Sequence, residues 1–194
     1  MLFWHGDRMR CLIALLAGLW LTAAARAGDI QIEEAWIPMP DGVRLSADLY
    51  QSNDVEPGAR LPVLLEYLPY RKREARSRNY SLYSYFVERG YVVAAVDIRG
   101  TGNSEGRLIP HEYSDIEHED GEVVIAWLAS RPWSNGKVGM FGISWGGFNS
   151  IQMALRNPPA LKAIIALDAT EDLYQEDVHF IDGILHVDSW EMSM

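Results

Sequence analysis

Cysteine is almost absent from this chain of 194 residues: there is one, Cys11. It lies near the amino terminus, so the body of the chain can form neither a disulfide nor a thiolate metal site. Basic residues are outnumbered, 17 Lys and Arg against 27 Asp and Glu, for a formal net charge of −10. That balance argues against nucleic acid and anionic membrane surfaces as partners. Histidine is scarce too, with five in all: His5, His111, His118, His179 and His186. A zincin helix needs H-E-x-x-H, but His111-Glu112 is followed by Asp115 where the second histidine should stand, so no metal and no cofactor is expected. Internal repeats and low-complexity linkers are missing. Long apolar runs are missing as well, with one exception.

That exception is Cys11 to Ala25. Arg8 and Arg10 precede it, and Ala25-Arg26-Ala27 gives an A-x-A cleavage site before Gly28. The run is too short and too alanine-rich to span a membrane comfortably. Residues 1–27 are therefore read as an export signal, and the expected location is periplasmic or secreted. Met9 is an alternative start, since Met1 to Asp7 adds nothing a signal needs. Cys11 stands ahead of most of the apolar core, which speaks against a lipid-attachment role. Residues 28–194 then carry 14 basic and 26 acidic residues, a net charge of −12, and no stable membrane association is expected after cleavage.

Along the remaining chain, residues 32–50 read as a hairpin of alternating strands around a two-residue Asp41-Gly42 turn. Pro57-Gly58 marks a surface loop. Leu61 to Leu68 is a continuous apolar run, as in a strand buried on both faces, and Pro69-Tyr70 ends it. Arg71 to Arg78 is a cationic loop of five positive residues, read as a solvated face or counter-charge for the acidic remainder in preference to an anion site. Tyr80 to Arg89 has helical spacing, with Gly90 as its cap. Tyr91 to Ile98 is a second buried-type strand. The glycine-rich run Arg99 to Gly106 has the spacing G-x-G-x-x-x-G, one residue too long for a dinucleotide fingerprint, and lacks G-K-[ST]; it is read as a structural turn. Asp120 to Ser130 is helical, Arg131 to Gly136 a turn, residues 145–156 a helix, and Lys162 to Leu167 a last strand. Strands alternating with helices imply an α/β fold, a mostly parallel sheet with an antiparallel N-terminal hairpin and helices on both faces.

Between the turn at 136 and the helix at 145 lies the most informative stretch. Lys137 to Phe141 reads as a short apolar strand, and Gly142-x-Ser144-x-Gly146 then leads into the helix. A serine hydroxyl is a weak nucleophile and must stand where a base and a carbonyl can both reach it. A sharp strand-to-helix turn does this at the cost of a strained backbone, with small residues at 142, 146 and 147 relieving the crowding. The helix aims its N-terminal amides at the place where an oxyanion would form. This is the pattern of an α/β-hydrolase nucleophile elbow.

Four ordered motifs sharpen that reading: Ile37 to Leu45, then Pro69-Tyr70, then Asp97-Ile98-Arg99-Gly100-Thr101-Gly102-x-Ser104-Glu105-Gly106, then Val138 to Trp145. Together they resemble the X-Pro dipeptidyl-peptidase (S15) family, which includes cocaine-esterase-like (CocE/NonD) and α-amino-acid ester hydrolases, over about residues 31–187. The resemblance implies a serine hydrolase cleaving an ester, an amide or a short peptide through an acyl-serine intermediate. It implies Ser144 as nucleophile, and the Tyr70 hydroxyl and the Trp145 backbone N–H as oxyanion donors. Position 145 is often tyrosine in relatives, so the resemblance implies that tryptophan leaves the amide available and is expected to reshape the acyl pocket.

The triad order of this fold is Ser, Asp or Glu, then His. Family members place the acid and histidine after later strands, and the chain is read as the N-terminal portion of the domain, residues 28–194, ending before both. Asp168 with His179 or His186 is the internal alternative, and the resemblance speaks against it, because the family does not keep its acid there. Asp172, Glu176, Asp177 and Asp182 form either an ordinary acidic loop or a site for a substrate ammonium. The rival reading is a non-catalytic product or binding remnant on a hydrolase scaffold. A sheet halted midway is also expected to leave an unpaired edge and bare apolar surface.

Overall fold

The computed structural model describes residues 29–108, 111–176 and 180–185. The export signal assigned to residues 1–27 lies outside them, as do Asp177, His179 and His186. Six strands form one mixed sheet: β1 (Ile30–Pro38), β2 (Arg44–Ser52), β3 (Leu61–Leu68), β4 (Val92–Asp97), β5 (Ser134–Ile143) and β6 (Leu161–Leu167). Their spatial order is β1-β2-β4-β3-β5-β6. β1 and β2 pair antiparallel, β2 joins β4 antiparallel, and β4, β3, β5 and β6 run parallel. The α/β architecture and the antiparallel opening hairpin agree with the sequence reading. A two-stranded ribbon, β7 (Phe180–Ile181) and β8 (Ile184–Leu185), follows.

Helices cover both faces because side chains alternate along each buried strand. On one face, Tyr83 and Val87 of helix α1 (Lys72–Val87) pack against Tyr50, Val93, Ala95 and Phe141. On the other, Val124, Ile125 and Leu128 of α2 (Asp115–Ala129) and Met153 of α3 (Trp145–Arg156) pack against Val63, Leu65, Tyr67, Val138 and Met140. The α3 bounds are those expected from sequence.

Three local expectations are corrected. The hairpin does not close in two residues: residues 39–43 form the loop, with Met39 N–H donating to the Val43 carbonyl at 2.8 Å and Gly42 at φ 89°. Residues 72–78 are not a loop but the first half of α1. The cations there do not repel one another because the sheet supplies a carboxylate for each of three: Lys72 meets Asp97 and Asp48, Arg73 pairs with Glu34, and Arg76 with Asp48. The counter-charge reading thus holds on a helix. Helix α2 begins at Asp115, five residues before its apolar spacing starts, with Asp115 and Glu117 in the first turn, where the helix dipole favours acids.

β6 is an edge among the described residues. Register sets Ile165 opposite Phe141 and Leu167 opposite Ile143, all on the α1 face. Ile143, Ile165 and Leu167 are each about half exposed. The expected bare apolar surface is therefore here.

Candidate active site

β5 ends at Ile143 and α3 begins at Trp145, so a single residue makes the turn. That residue, Ser144, has φ 56° and ψ −121°, a conformation costing a non-glycine residue roughly 1–3 kcal/mol. Both sides hold it there. Its N–H donates to the Leu167 carbonyl of β6 at 2.9 Å, and its carbonyl accepts the Phe148 N–H at 2.9 Å, the first bond of α3. Its side chain is exposed at the carboxyl ends of the parallel strands, the edge where open α/β sheets bind ligands.

Crowding at the turn distinguishes its glycines. A Cβ on Gly142 would lie 2.6 Å from the Gly146 carbonyl carbon, and one on Gly147 would lie 2.6 Å from the Leu167 carbonyl oxygen. One on Gly146 would meet only the Leu68 side chain, at 3.3 Å. The closest approaches are thus at 142 and 147, although 146 completes the G-x-S-x-G motif.

Tyr70 stands two residues beyond β3, and its hydroxyl is 3.3 Å from Ser144 Oγ. The two side chains, 74 positions apart, face one another as the sequence reading required. Trp145 occupies the first helical position, where a backbone N–H has no intrahelical acceptor. Its indole N–H donates to Glu117 Oε1 at 2.7 Å. All three sequence-expected residues are therefore neighbours. Two clefts flank Tyr70: one of about 900 Å³, lined by Tyr70, Glu66, Leu68, Ala75 and Ile143 among others, and one of about 450 Å³, lined by Trp145, Leu108 and the 100–102 loop. Pro69, Arg71 and Glu74 border both.

Glu117 was not singled out by sequence reasoning. It is 2 % exposed and its Oε1 accepts both the Trp145 indole and Asn149 Nδ2, one helical turn apart on α3. The Asn149 amide also donates to the Tyr67 carbonyl, and the Tyr67 hydroxyl to the Glu117 carbonyl, so β3, α2 and α3 are locked together beneath the turn. Burial pushes the Glu117 carboxyl above the usual carboxylate range, against hydrogen bonds from Trp145, Asn149 and the Tyr113 amide. An acidic run in the sequence gives no sign of this, since it depends on what α3 presents across the gap.

The glycine-rich loop turns its amides on the protein itself. Asp97, fully buried at the end of β4, accepts the Asn103 N–H at 3.0 Å and the Lys72 N–H at 2.7 Å, and Ser104 Oγ donates to its carbonyl at 2.7 Å. A Cβ on Gly102 would fall 2.2 Å from the Asp97 carboxylate. The cradle is filled by a resident anion, consistent with a structural turn. Next to it, Arg99 forks onto Asp120 at 2.7 and 2.8 Å and reaches Asp41 at 2.6 Å, tying the loop to α2 and the hairpin.

No described histidine is hydrogen-bonded to Ser144. His118 Nε2 lies 2.5 Å from Gln152 Oε1, joining α2 to α3. Asp168, left-handed at φ 48° just past β6, has no hydrogen bond or ion pair to Ser144 or a histidine among the described residues. Asp172 accepts the amides of Tyr174 and Gln175 and so closes a turn.

Known proteins give the same arrangement a context. Cocaine esterase from Rhodococcus sp. (strain MB1 Bresler) is 37 % identical over 155 residues, covering 79 % of this chain and 26 % of that protein. A putative Xaa-Pro dipeptidyl-peptidase from Streptomyces avermitilis is 28 % identical over 178 residues, covering 75 % and 26 %. The chain thus spans about a quarter of these relatives' length. Among solved structures, a CocE/NonD family hydrolase from Staphylococcus aureus superposes with a TM-score of 0.67 at 27 % identity, over 78 % of this chain and 30 % of that one. An α-amino acid ester hydrolase gives 0.66 at 31 %, over 86 % and 30 %. Residues 41–194 match the X-Pro dipeptidyl-peptidase (S15 family) pattern, which takes in Asp41-Gly42, Tyr70, the glycine-rich loop and the turn at Ser144. On that match, and with a six-stranded sheet that superposes on part of those α/β structures, the chain belongs to the X-Pro dipeptidyl-peptidase (S15) family of α/β-hydrolases.

Proposed function

We propose that Ser144 is the nucleophile of an exported serine hydrolase that cleaves a small ester, an amide or a short peptide. The observation that carries this reading is the strained, exposed Ser144 with the Tyr70 hydroxyl 3.3 Å from its Oγ. In the reaction, Oγ attacks the carbonyl carbon and gives its proton to a general base. The oxygen that becomes negative takes hydrogen bonds from the Tyr70 hydroxyl and the Trp145 backbone N–H. The tetrahedral species collapses to an acyl-serine, the leaving alcohol or amine takes the proton, and water then releases the acid.

The base and its orienting acid come from sequence beyond the described residues, and residues 28–194 form the part of the domain that carries the nucleophile and the oxyanion donors. Residues 1–27 act as the export signal. The names of the relatives, an esterase and a dipeptidyl-peptidase, support the ester-or-peptide substrate class. The test is hydrolysis of p-nitrophenyl esters by the full-length enzyme, meaning the polypeptide that joins this segment to a histidine and an acid. Ser144→Ala is expected to abolish turnover, and a fluorophosphonate probe should label Ser144 in the parent only. Turnover that survives Ser144→Ala refutes the reading and leaves the scaffold as a binding module.

A further inference from the structure

We infer that Lys72 is a positioning residue for the Tyr70 hydroxyl, holding the phenol over Ser144 through a buried ammonium that no substrate touches. The inference rests on the hydrolase reading above and deepens it.

The Tyr70 side chain is in a weak position to hold itself. It is 41 % exposed, and its hydroxyl is hydrogen-bonded to Ser144 Oγ. Its place must therefore come from the backbone on either side. Before it, β3 ends at Leu68, whose carbonyl accepts the Ile98 N–H at 3.3 Å. After it, Arg71 turns the chain through the left-handed region, at φ 58° and ψ 86°, and is itself exposed. The first firmly anchored point is Lys72, whose side chain is 2 % exposed.

Lys72 is anchored twice to one carboxylate. Its backbone N–H donates to Asp97 Oδ1 at 2.7 Å and its Nζ to Asp97 Oδ2 at 3.3 Å. The ammonium also donates to Ser46 Oγ at 2.7 Å and lies 3.7 Å from Asp48 Oδ1. Two of its three protons are thus hydrogen-bonded, to oxygens from β2 and β4, and the Asp48 carboxylate adds a counter-charge beyond hydrogen-bond reach. Asp97, Asp48 and Ser46 are at most 1 % exposed, so the ammonium is enclosed and cannot meet substrate. A compact ammonium suits this enclosure where a planar guanidinium would not. Only Arg71 lies between this anchor and Tyr70, so a shift of Lys72 moves the phenol relative to Ser144. Displacements of about 1 Å at reacting groups cost on the order of 100-fold in rate.

The test is a double-mutant cycle in the full-length enzyme, with kcat and KM read separately for a p-nitrophenyl ester. Tyr70→Phe is expected to lower kcat by about 100-fold, the usual cost of one oxyanion donor. Lys72→Met is expected to lower kcat by about 10- to 100-fold with KM within about threefold of the parent. In the Tyr70→Phe background the same substitution should cost less than about threefold, because the hydroxyl it positions is gone. An equal loss in both backgrounds, or a change in KM alone, overturns the role of Lys72. If Lys72→Met does not fold, Asp97→Asn carries the same cycle, since it keeps oxygen for the Lys72 amide and removes the charge holding Nζ. Ser144→Ala separates the two readings: turnover surviving it overturns the hydrolase assignment, whereas parental kcat in Lys72→Met with turnover lost in Ser144→Ala overturns the Lys72 role alone.

Discussion

Replacing each glycine around Ser144 by alanine should give two classes of outcome, set by what the new methyl group meets. At Gly147 the Cβ would sit 2.6 Å from the Leu167 carbonyl oxygen and 2.8 Å from Ala169 Cβ. That carbonyl must recede by roughly 0.8 Å to reach ordinary contact, yet it also accepts the Ser144 N–H at 2.9 Å. The strain therefore passes directly to Ser144, and overpacking of this kind costs about 1–3 kcal/mol. At Gly142 the obstacle is the Gly146 backbone at 2.6–2.9 Å, with a cost at the upper end of the same range. At Gly146 the contact is Leu68 Cδ2 at 3.3 Å, the tip of a flexible side chain. There alanine gains up to about 1 kcal/mol of helix propensity over glycine, which offsets the crowding. With a urea slope of about 2 kcal/mol per M, Gly147→Ala and Gly142→Ala should lower the unfolding midpoint by about 0.5–1.5 M, and Gly146→Ala by less than about 0.3 M. Tryptophan fluorescence in a urea series measures all three. Equal midpoints for Gly146→Ala and Gly147→Ala would refute the argument, because the steric difference would then have no energetic consequence.

Arg99→Ala should destabilise by about 3–5 kcal/mol, since it leaves the buried Asp120 carboxylate unpaired, and Arg99→Lys should recover only part because one ammonium cannot replace the fork; thermal unfolding of both checks this. Glu66 is held above the usual carboxylate range by burial, against the Tyr83 hydroxyl and Arg78. A raised carboxyl pKa makes a contribution to stability that is present below about pH 4.5 and lost as pH rises through the folded value. Glu66→Gln removes that loss, so its urea midpoint relative to the parent should improve between about pH 5 and pH 8. A Glu66→Gln midpoint that falls relative to the parent's as pH rises would contradict the sign. Because no described histidine is hydrogen-bonded to Ser144, the 194-residue chain alone should show less than about a thousandth of a cocaine-esterase-like relative's turnover, since oxyanion donors without a base retain little rate. Robust turnover abolished by Ser144→Ala would instead require a base within the chain.

Much of the fold was legible because its rules are local. Leu61 to Leu68 and Tyr91 to Ile98 read as buried strands from their apolar runs, and the helix over residues 145–156 follows directly on the turn at Ser144. The first half of α1 was not legible. Five cations in eight residues look like a loop until Asp48 and Asp97, from strands earlier and later in the chain, close on Lys72 and Arg76. Glu117 was hidden for the same reason, as one acid in an acidic run whose partners lie 28 and 32 residues further on. The G-x-S-x-G motif pointed to the correct turn and, with Gly142, Gly146 and Gly147 weighed alike, did not rank their tolerance.

By itself, then, the order of residues determined where the chain turns sharply, which segments are buried strands, and that a hydroxyl stands at the end of one of them. Those are properties of φ, ψ and hydrophobic period, and each is set within a few residues. Only the folded sheet decided which side chain faces that hydroxyl and what holds it there. Tyr70 meets Ser144 because β3 and β5 are parallel neighbours with their carboxyl ends at one edge. Lys72 is pinned because β2 and β4 bring two carboxylates and a serine hydroxyl to one enclosed point. An ammonium removed from water is stable only where such partners converge, and convergence is a property of tertiary structure.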